Sequence, residues 1–313
     1  VPPLSQSKLI IFAGKGGVGK TTLASATAVT LARKNPQTKV LLFSTDPAHS
    51  LSDCLGGRFG PAPHELFANL SVVEMDAQNE FLELKSQYKA ELKQFFARIL
   101  PNMDLMFDRD VMERILDLSP PGLDEIMAMT SVMDLLESRK YDLLVLDTAP
   151  TGHFLRLLEM PEIIDSWLKV IFGLFLKYRN VFKMPKVNQR LIGMSKSLKS
   201  MRKLIHNPEQ SPVYVVTIPT EMAFQETLDL VAACKKMETG VAGIFINMAA
   251  QAGGCCTCDG LAGMEKAMFH RYGDEFGSIP QSVIFRDGDL RGPDRLEALG
   301  LAMFDWPQPG AAP

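Results

Sequence analysis

A chain of 313 residues has room for one large α/β domain or two ordinary ones. Hydrophobic residues make up 46% of it and charged residues 22%, the profile of a globular protein with a substantial core. A net charge of −3 gives nothing global to hold nucleic acid, and no apolar run approaches the roughly 20 residues of a membrane span. The opening residues, Val1 to Ser5, lack the basic and apolar regions of a signal peptide. The expected location is therefore the cytoplasm, with peripheral attachment to a membrane left open.

Short apolar runs recur along the chain and predict strands: Lys8–Ala13, Lys39–Ser44, Leu70–Met75, Tyr141–Asp147, Val213–Ile218 and Val241–Asn247, with Gln281–Phe285 a weaker last one. They are apolar throughout rather than alternating, as in strands buried on both faces of a parallel sheet. Helical patterns separate them. The fold class is thus α/β, a doubly wound, mostly parallel sheet, in a single domain over 1–313. Residues of about 80–133 and 161–205 exceed what a minimal domain needs, and are expected to form an inserted α-helical subdomain.

The first strand leads into Gly14, Lys15, Gly16, Gly17, Val18, Gly19, Lys20, Thr21 and Thr22, which fit G-x-x-x-x-G-K-[ST]. A helical stretch, Thr21–Lys34, follows, which is the context the motif requires. Glycines let backbone N–H groups turn inward around phosphate oxygens, and the helix end adds a favourable dipole. Lys20 is expected to reach the β- and γ-phosphates of ATP, and Thr21 to hold Mg²⁺. Lys15 cannot comfortably reach the same phosphates, so it either points into a partner's site or is simply solvated. Asp46 follows the second strand and Asp147 ends the fourth. An acid placed so beside a P-loop can act on Mg²⁺ through water, and Asp46 can orient or deprotonate the attacking water. For Asp46 the plain alternative is a turn acid, since Asp-Pro opens turns.

Between Ser166 and His206 there are ten Lys or Arg and no Asp or Glu. Trp167, Ile171, Phe175 and Phe182 fall at helical spacing between the charges, and Met184, Met194 and Met201 add adaptable side chains. This is either a surface for an apolar client helix or an anionic membrane, or a core-facing helix with a basic back. The five cysteines are Cys54, Cys234, Cys255, Cys256 and Cys258. Three crowd into four positions, which leaves metal binding, redox chemistry or no role open.

Three motifs together carry a family resemblance: GKGGVGKTT with its second lysine, STDPAHSLSD over Ser44–Asp53, and DTAPTGHFLRLLEMP over Asp147–Pro161. The chain resembles the arsenite-pump ATPase family, which includes the guided-entry ATPases that target tail-anchored membrane proteins. Pro121 to Glu125 and Asn247 extend the likeness over most of the chain. The resemblance implies that Lys15 crosses a homodimer interface to the partner's phosphates, that Asp46 is the switch I acid and that Asp147 is the switch II acid near Mg²⁺. It also implies that Asn247 reads adenine while Phe285, in the looser match 284–292, helps close over the base. No cysteine lies between Cys54 and Cys234, and a single ATPase half is present, so the targeting branch resembles it more. In that branch a C-x-x-C such as Cys255 and Cys258 holds Zn²⁺ across the dimer, the tetrahedral S₄ set that zinc favours. Cys256 is an extra, and a three-thiol cluster could instead trap arsenite or serve as a redox switch. The expected partners are a second copy of the chain, a hydrophobic client helix, and a membrane receptor or permease. Two other roles stay open: an arsenite- or antimonite-stimulated subunit of an anion efflux pump, and a redox- or nucleotide-regulated holdase chaperone.

Overall fold

The computed structural model describes residues 7–45, 50–75, 140–148, 185–288 and 290–304, together with 133, 135, 136 and 138. Its described strands form one eight-stranded sheet. They are β1 (Leu9–Gly14), β2 (Val40–Ser44), β3 (His64–Phe67), β4 (Leu70–Glu74), β5 (Leu143–Asp147), β6 (Val213–Thr217), β7 (Val241–Ala249) and β8 (Gln281–Phe285). The spatial order is β3-β4-β2-β5-β1-β6-β7-β8. Every pairing is parallel except β3 with β4. The described helices are α1 (Lys20–Lys34), α2 (Ser50–Leu55), α3 (Pro185–Ile205), α4 (Glu221–Lys236), α5 (Cys256–Phe276) and α6 (Pro293–Phe304).

The α/β expectation holds, and the reason lies in the alternation of side chains along each strand. In β1, Leu9, Ile11 and Ala13 join one buried cluster, while Ile10 and Phe12 join another on the opposite face. Successive side chains point to opposite faces, so a strand covered on both sides must be apolar at every position. The first cluster also takes in Phe224, Leu230, Tyr272 and Phe276 from α4 and α5, and Met201 and Ile205 from α3. The second takes in α1 and α6, with Phe12, Tyr214 and Phe245 packed ring to ring at 5.5–6.3 Å between centroids.

Helix α1 is buried along most of its length and its small residues let α6 come close. A Cβ on Gly300 would lie 2.1 Å from Thr30 Oγ1 and 2.5 Å from the Ala26 carbonyl oxygen. Arg33 ties the far end of α1 to α6 through Asp294 at 2.8 Å and through Glu297. The chain leaves β1 through α1 for β2 on one side of the sheet and leaves β5 for β6 on the other. Ligands in open α/β sheets bind at the carboxyl ends of the strands at such a reversal, and β1, β2 and β5 all end there.

The expected helical subdomain, about 80–133 and 161–205, lies outside the described residues apart from residue 133 and α3. One expectation about the basic segment is corrected. Met201 is 2% exposed and belongs to the core, not to an adaptable surface. Ser197, Met201 and Ile205, each four apart, form the buried stripe of α3, while Lys196, Lys199, Arg202 and Lys203 are exposed.

Candidate functional site: a phosphate cradle at the strand ends

The loop between β1 and α1 is built by three glycines. Gly14, Gly17 and Gly19 have φ of 152°, 77° and 93°, values that side chains rarely allow. Two of them are also closely approached. A Cβ on Gly14 would fall 2.1 Å from the Val216 carbonyl oxygen, and one on Gly19 would fall 2.3 Å from Asn247 Nδ2. The loop is therefore clamped between the ends of β6 and β7. Asn247 belongs to that clamp: it is buried and its Nδ2 donates to the Val18 carbonyl at 2.9 Å. In the next strand Phe285 ends β8 and is 49% exposed, and Arg286 Nε donates to the Met248 carbonyl at 2.9 Å.

Lys20 opens α1 with 3% exposure, and its Nζ donates to the Lys15 carbonyl at 3.0 Å, so its charge lies across the concave side of the loop. Lys15 takes another direction. Its Nζ lies 2.6 Å from Glu226 Oε1 on α4.

Below the loop four oxygen side chains converge. Thr21 Oγ1 donates to Asp147 Oδ2 at 2.7 Å, and Ser44 Oγ donates to the same oxygen at 3.0 Å. Ser50 Oγ lies 3.0 Å from Thr21 Oγ1. Asp147 is fully buried at the end of β5, and β2 is tied to it again where the Thr45 N–H donates to the Asp147 carbonyl at 3.0 Å. Hydroxyls and a buried carboxylate are hard oxygen donors, the set Mg²⁺ takes, usually with retained waters and substrate phosphates. Thr21 and Asp147 thus fit a magnesium site beside the cradle. The sequence pointed to both of these residues. It did not point to Ser44, Ser50 or Glu226. The two serines lie inside the Ser44–Asp53 motif, where an acid drew the attention. Glu226 has no local signal at all, being 211 positions from Lys15.

Cys255, Cys256 and Cys258 are exposed free thiols, whereas Cys54 and Cys234 are buried. Cys255 precedes α5, and its Sγ accepts from the Cys258 N–H at 3.3 Å. That backbone donor, then the Cys258 thiol and the Thr257 N–H, hold the Cys255 thiol below its ordinary value. The same contact with Cys255 raises Cys258. Burial raises Cys54, and it pushes Cys234 up to about 12. Among the described residues no three His, Cys, Asp or Glu side chains converge as a metal cluster within one chain. Asp46 and the apolar residues Trp167, Ile171, Phe175 and Phe182 lie outside the described residues. A cavity of about 810 Å³ opens at the other end of the sheet, lined by Lys8, Tyr141, Asp142, Lys203 and Leu204 among others, and shares no lining residue with the cradle.

The model of the anion-transporting ATPase family matches residues 7–305, nearly the whole chain and every part of this cradle. The chain belongs to the anion-transporting ATPase family. As a member of that family it is an ATPase. ATPase ASNA1 homolog 1 of Paramecium tetraurelia is 29% identical over 312 residues, covering 93% of this chain and 90% of the relative. The ATPase ASNA1 homolog of Dictyostelium discoideum is 31% identical over 287 residues, covering 85% and 80%. ATPase GET3B of Arabidopsis thaliana is 34% identical over 267 residues, covering 78% and 64%. Among the described residues of this family member, no helix is long and apolar enough to cross a membrane.

Proposed function

We propose that this ATPase works as a nucleotide-switched homodimer that shields an apolar helix of a tail-anchored membrane protein and delivers it to a membrane receptor. The observation that carries the reading is the divergence of the two lysines in one loop. Lys20 covers the cradle of its own chain, whereas Lys15 leaves it for Glu226. A lysine that close to a phosphate loop and turned away from it is suited to a second chain's nucleotide. Its pair with Glu226 is partly exposed, with side chains 27% and 39% accessible. Such a pair is worth about 0–1 kcal/mol, so the charged phosphates of a docked partner can outcompete it.

In this mechanism Lys20 binds the chain's own β- and γ-phosphates and the partner's Lys15 completes the charge balance as the dimer closes. Asp46 orients the attacking water and takes its proton. Thr21 would hold Mg²⁺ directly and Asp147 would hold it through water. When bound, the ion neutralises charge on the phosphate oxygens. Asn247 and Phe285 flank the cradle on β7 and β8, where the base would sit. At the exposed end of α5, Cys255 and Cys258 of two chains would supply the four sulfurs of a zinc site, with Cys256 beside them. The helical subdomain of about 80–133 and 161–205 carries the client surface in this reading. The likeness to the ATPases ASNA1 and GET3B supports the targeting branch.

A second reading rests on the same three exposed thiols, which are soft donors suited to As(III), and makes the chain the ATPase of an anion efflux pump. Two measurements divide them. Turnover is measured with and without arsenite, and the chain is co-expressed with a tail-anchored protein and pulled down. Capture of the client with no arsenite stimulation is expected. Stimulation without capture transfers the assignment to efflux. Asp46→Asn should keep nucleotide binding and lower turnover by about 100-fold or more, the general-base contribution. Turnover near wild type in that variant removes Asp46 from the mechanism.

A further inference from the structure

Glu74 is a buried carboxylate that the phosphate cradle leaves unexplained. It ends β4 and is 2% exposed. Its Oε1 accepts from the Leu51 N–H at 3.0 Å and its Oε2 from Ser52 Oγ at 2.9 Å. Both partners lie in α2, which opens with Ser50, and Ser50 Oγ lies 3.0 Å from Thr21 Oγ1. A chain of polar contacts therefore runs from the end of β4, through the first turn of α2, to the threonine that holds the cation.

The direction of the last contact follows from counting protons. A threonine hydroxyl has one proton and two lone pairs. The proton of Thr21 goes to Asp147 Oδ2. In the contact between the two hydroxyls, Ser50 must then be the donor. Ser50 occupies one lone pair of Thr21 and leaves the other for a cation. Two partners, Asp147 and Ser50, together fix the rotation of the Thr21 hydroxyl.

We infer that Ser50, held in place by Glu74 through α2, is a positioning residue that aims the free lone pair of Thr21 at the divalent cation and ties cation occupancy to α2. The inference rests on the reading of Thr21 and Asp147 as the magnesium site. It extends that site to Ser50 and Glu74.

The test is equilibrium binding of a fluorescent ATP analogue to the full chain, once in EDTA and once in Mg²⁺. The readout is the ratio of the two affinities, the gain that the cation confers. Ser50→Ala should reduce this gain about fivefold, the effect of one orienting hydrogen bond, and leave the affinity in EDTA unchanged. Ser50→Thr keeps the hydroxyl and should restore the gain. Glu74→Ala should reduce the gain in the same way. Glu74→Gln should restore it, because the amide can accept from Leu51 and donate to Ser52. If Glu74→Ala does not fold, Ser52→Ala removes one of the two contacts and replaces it in the comparison. The double variant Ser50→Ala/Glu74→Ala should be no worse than Ser50→Ala alone, since both act through one hydroxyl. An unchanged gain in Ser50→Ala overturns the inference. So does a fall of both affinities together with the melting temperature, which would make the contact purely structural. Thr21→Ala separates the underlying reading from the inference. If Thr21→Ala also keeps the full gain, the magnesium assignment itself is wrong. If Thr21→Ala loses the gain and Ser50→Ala does not, only the role of Ser50 falls.

Discussion

Lys15 and Lys20 sit in one loop and end in different places, and that difference is set by backbone geometry more than by residue type. Gly17 and Gly19, both at positive φ, turn the chain between them, so the two side chains leave the loop in different directions. The glycine spacing and Lys20 were legible in the sequence because each position has a single physical use. Glu226 was not, because nothing near it in the chain marks it as the partner of Lys15. The cysteines illustrate the same limit. Their spacing suggested paired ligands, but only the structure distinguishes Cys255 from Cys258, through the Cys258 N–H that points at one sulfur and not the other. A testable consequence follows from the opposite shifts of the two thiols. The thiolate is the nucleophile. Cys255, held low, is therefore ionised at a pH where Cys258, held high, is still protonated. After chelation and under reducing conditions, iodoacetamide should label Cys255 faster than Cys258 near neutral pH. The pH midpoint of Cys255 should fall below the ordinary thiol value. Cys258→Ala should move that midpoint up only part of the way, because the backbone N–H, the largest cause, remains. Equal labelling of the two across the pH range, read by mass spectrometry, would contradict the geometry.

At the scale of elements, legibility follows burial. The seven apolar runs correspond to strands with shifts of a residue or two at their ends, since strands covered on both faces have no polar position to obscure them. The strand β3 was missed. Its sequence, His-Glu-Leu-Phe, is short and half polar, and it lies antiparallel at the sheet edge with its side chains exposed or only half-buried. Tertiary pairing with β4 makes it a strand, not its own pattern. Helix α3 was ambiguous instead. Its sequence left both a binding face and a core-facing helix with a basic back open, and Ser197, Met201 and Ile205 face the core while Lys196, Lys199 and Lys203 face water. The basic charge in this part of the segment is thus the solvated back of a packed helix. Met201→Asp should destabilise the fold by about 4 kcal/mol or more, as an unpaired charge replaces a buried side chain. Lys199→Glu, on the exposed back, should stay within about 0.5 kcal/mol of wild type. Urea midpoints measured on both variants decide the matter. A Met201→Asp protein with an unshifted midpoint would return Met201 to the surface. Trp167, Ile171, Phe175 and Phe182 lie outside the described residues, and a client surface there is a proposal read from the sequence.

For the whole molecule the decisive question is whether Lys15 serves its own chain or another. The described chain holds Lys20, Thr21 and Asp147 around one cradle and sends Lys15 to α4. A closed dimer with two-fold symmetry would exchange Lys15 reciprocally, each chain completing the other's site. Two inactive variants then test the exchange. Lys15→Ala alone gives a homodimer in which each site lacks the partner's lysine, and Asp46→Asn alone gives one in which each site lacks its water-activating acid. Mixing them creates dimers in which one site has both its own Asp46 and an intact Lys15 from the neighbour, while the other site has neither. If Lys15 acts in trans, equal mixing should recover about a quarter of wild-type turnover, since about half the dimers are mixed and each has one working site. If it acts in cis, the chain with Asp46 has lost its own Lys15, and no site in any dimer is complete. Turnover should then stay at the level of the separate variants. Glu226→Gln provides an internal check, because it frees Lys15 without touching the cradle. It should strengthen ATP-driven dimerisation by no more than about fivefold, the worth of a half-exposed ion pair, as read by sedimentation. A collapse of dimerisation in that variant would mean that Glu226 contributes to the interface itself rather than holding the lysine between cycles.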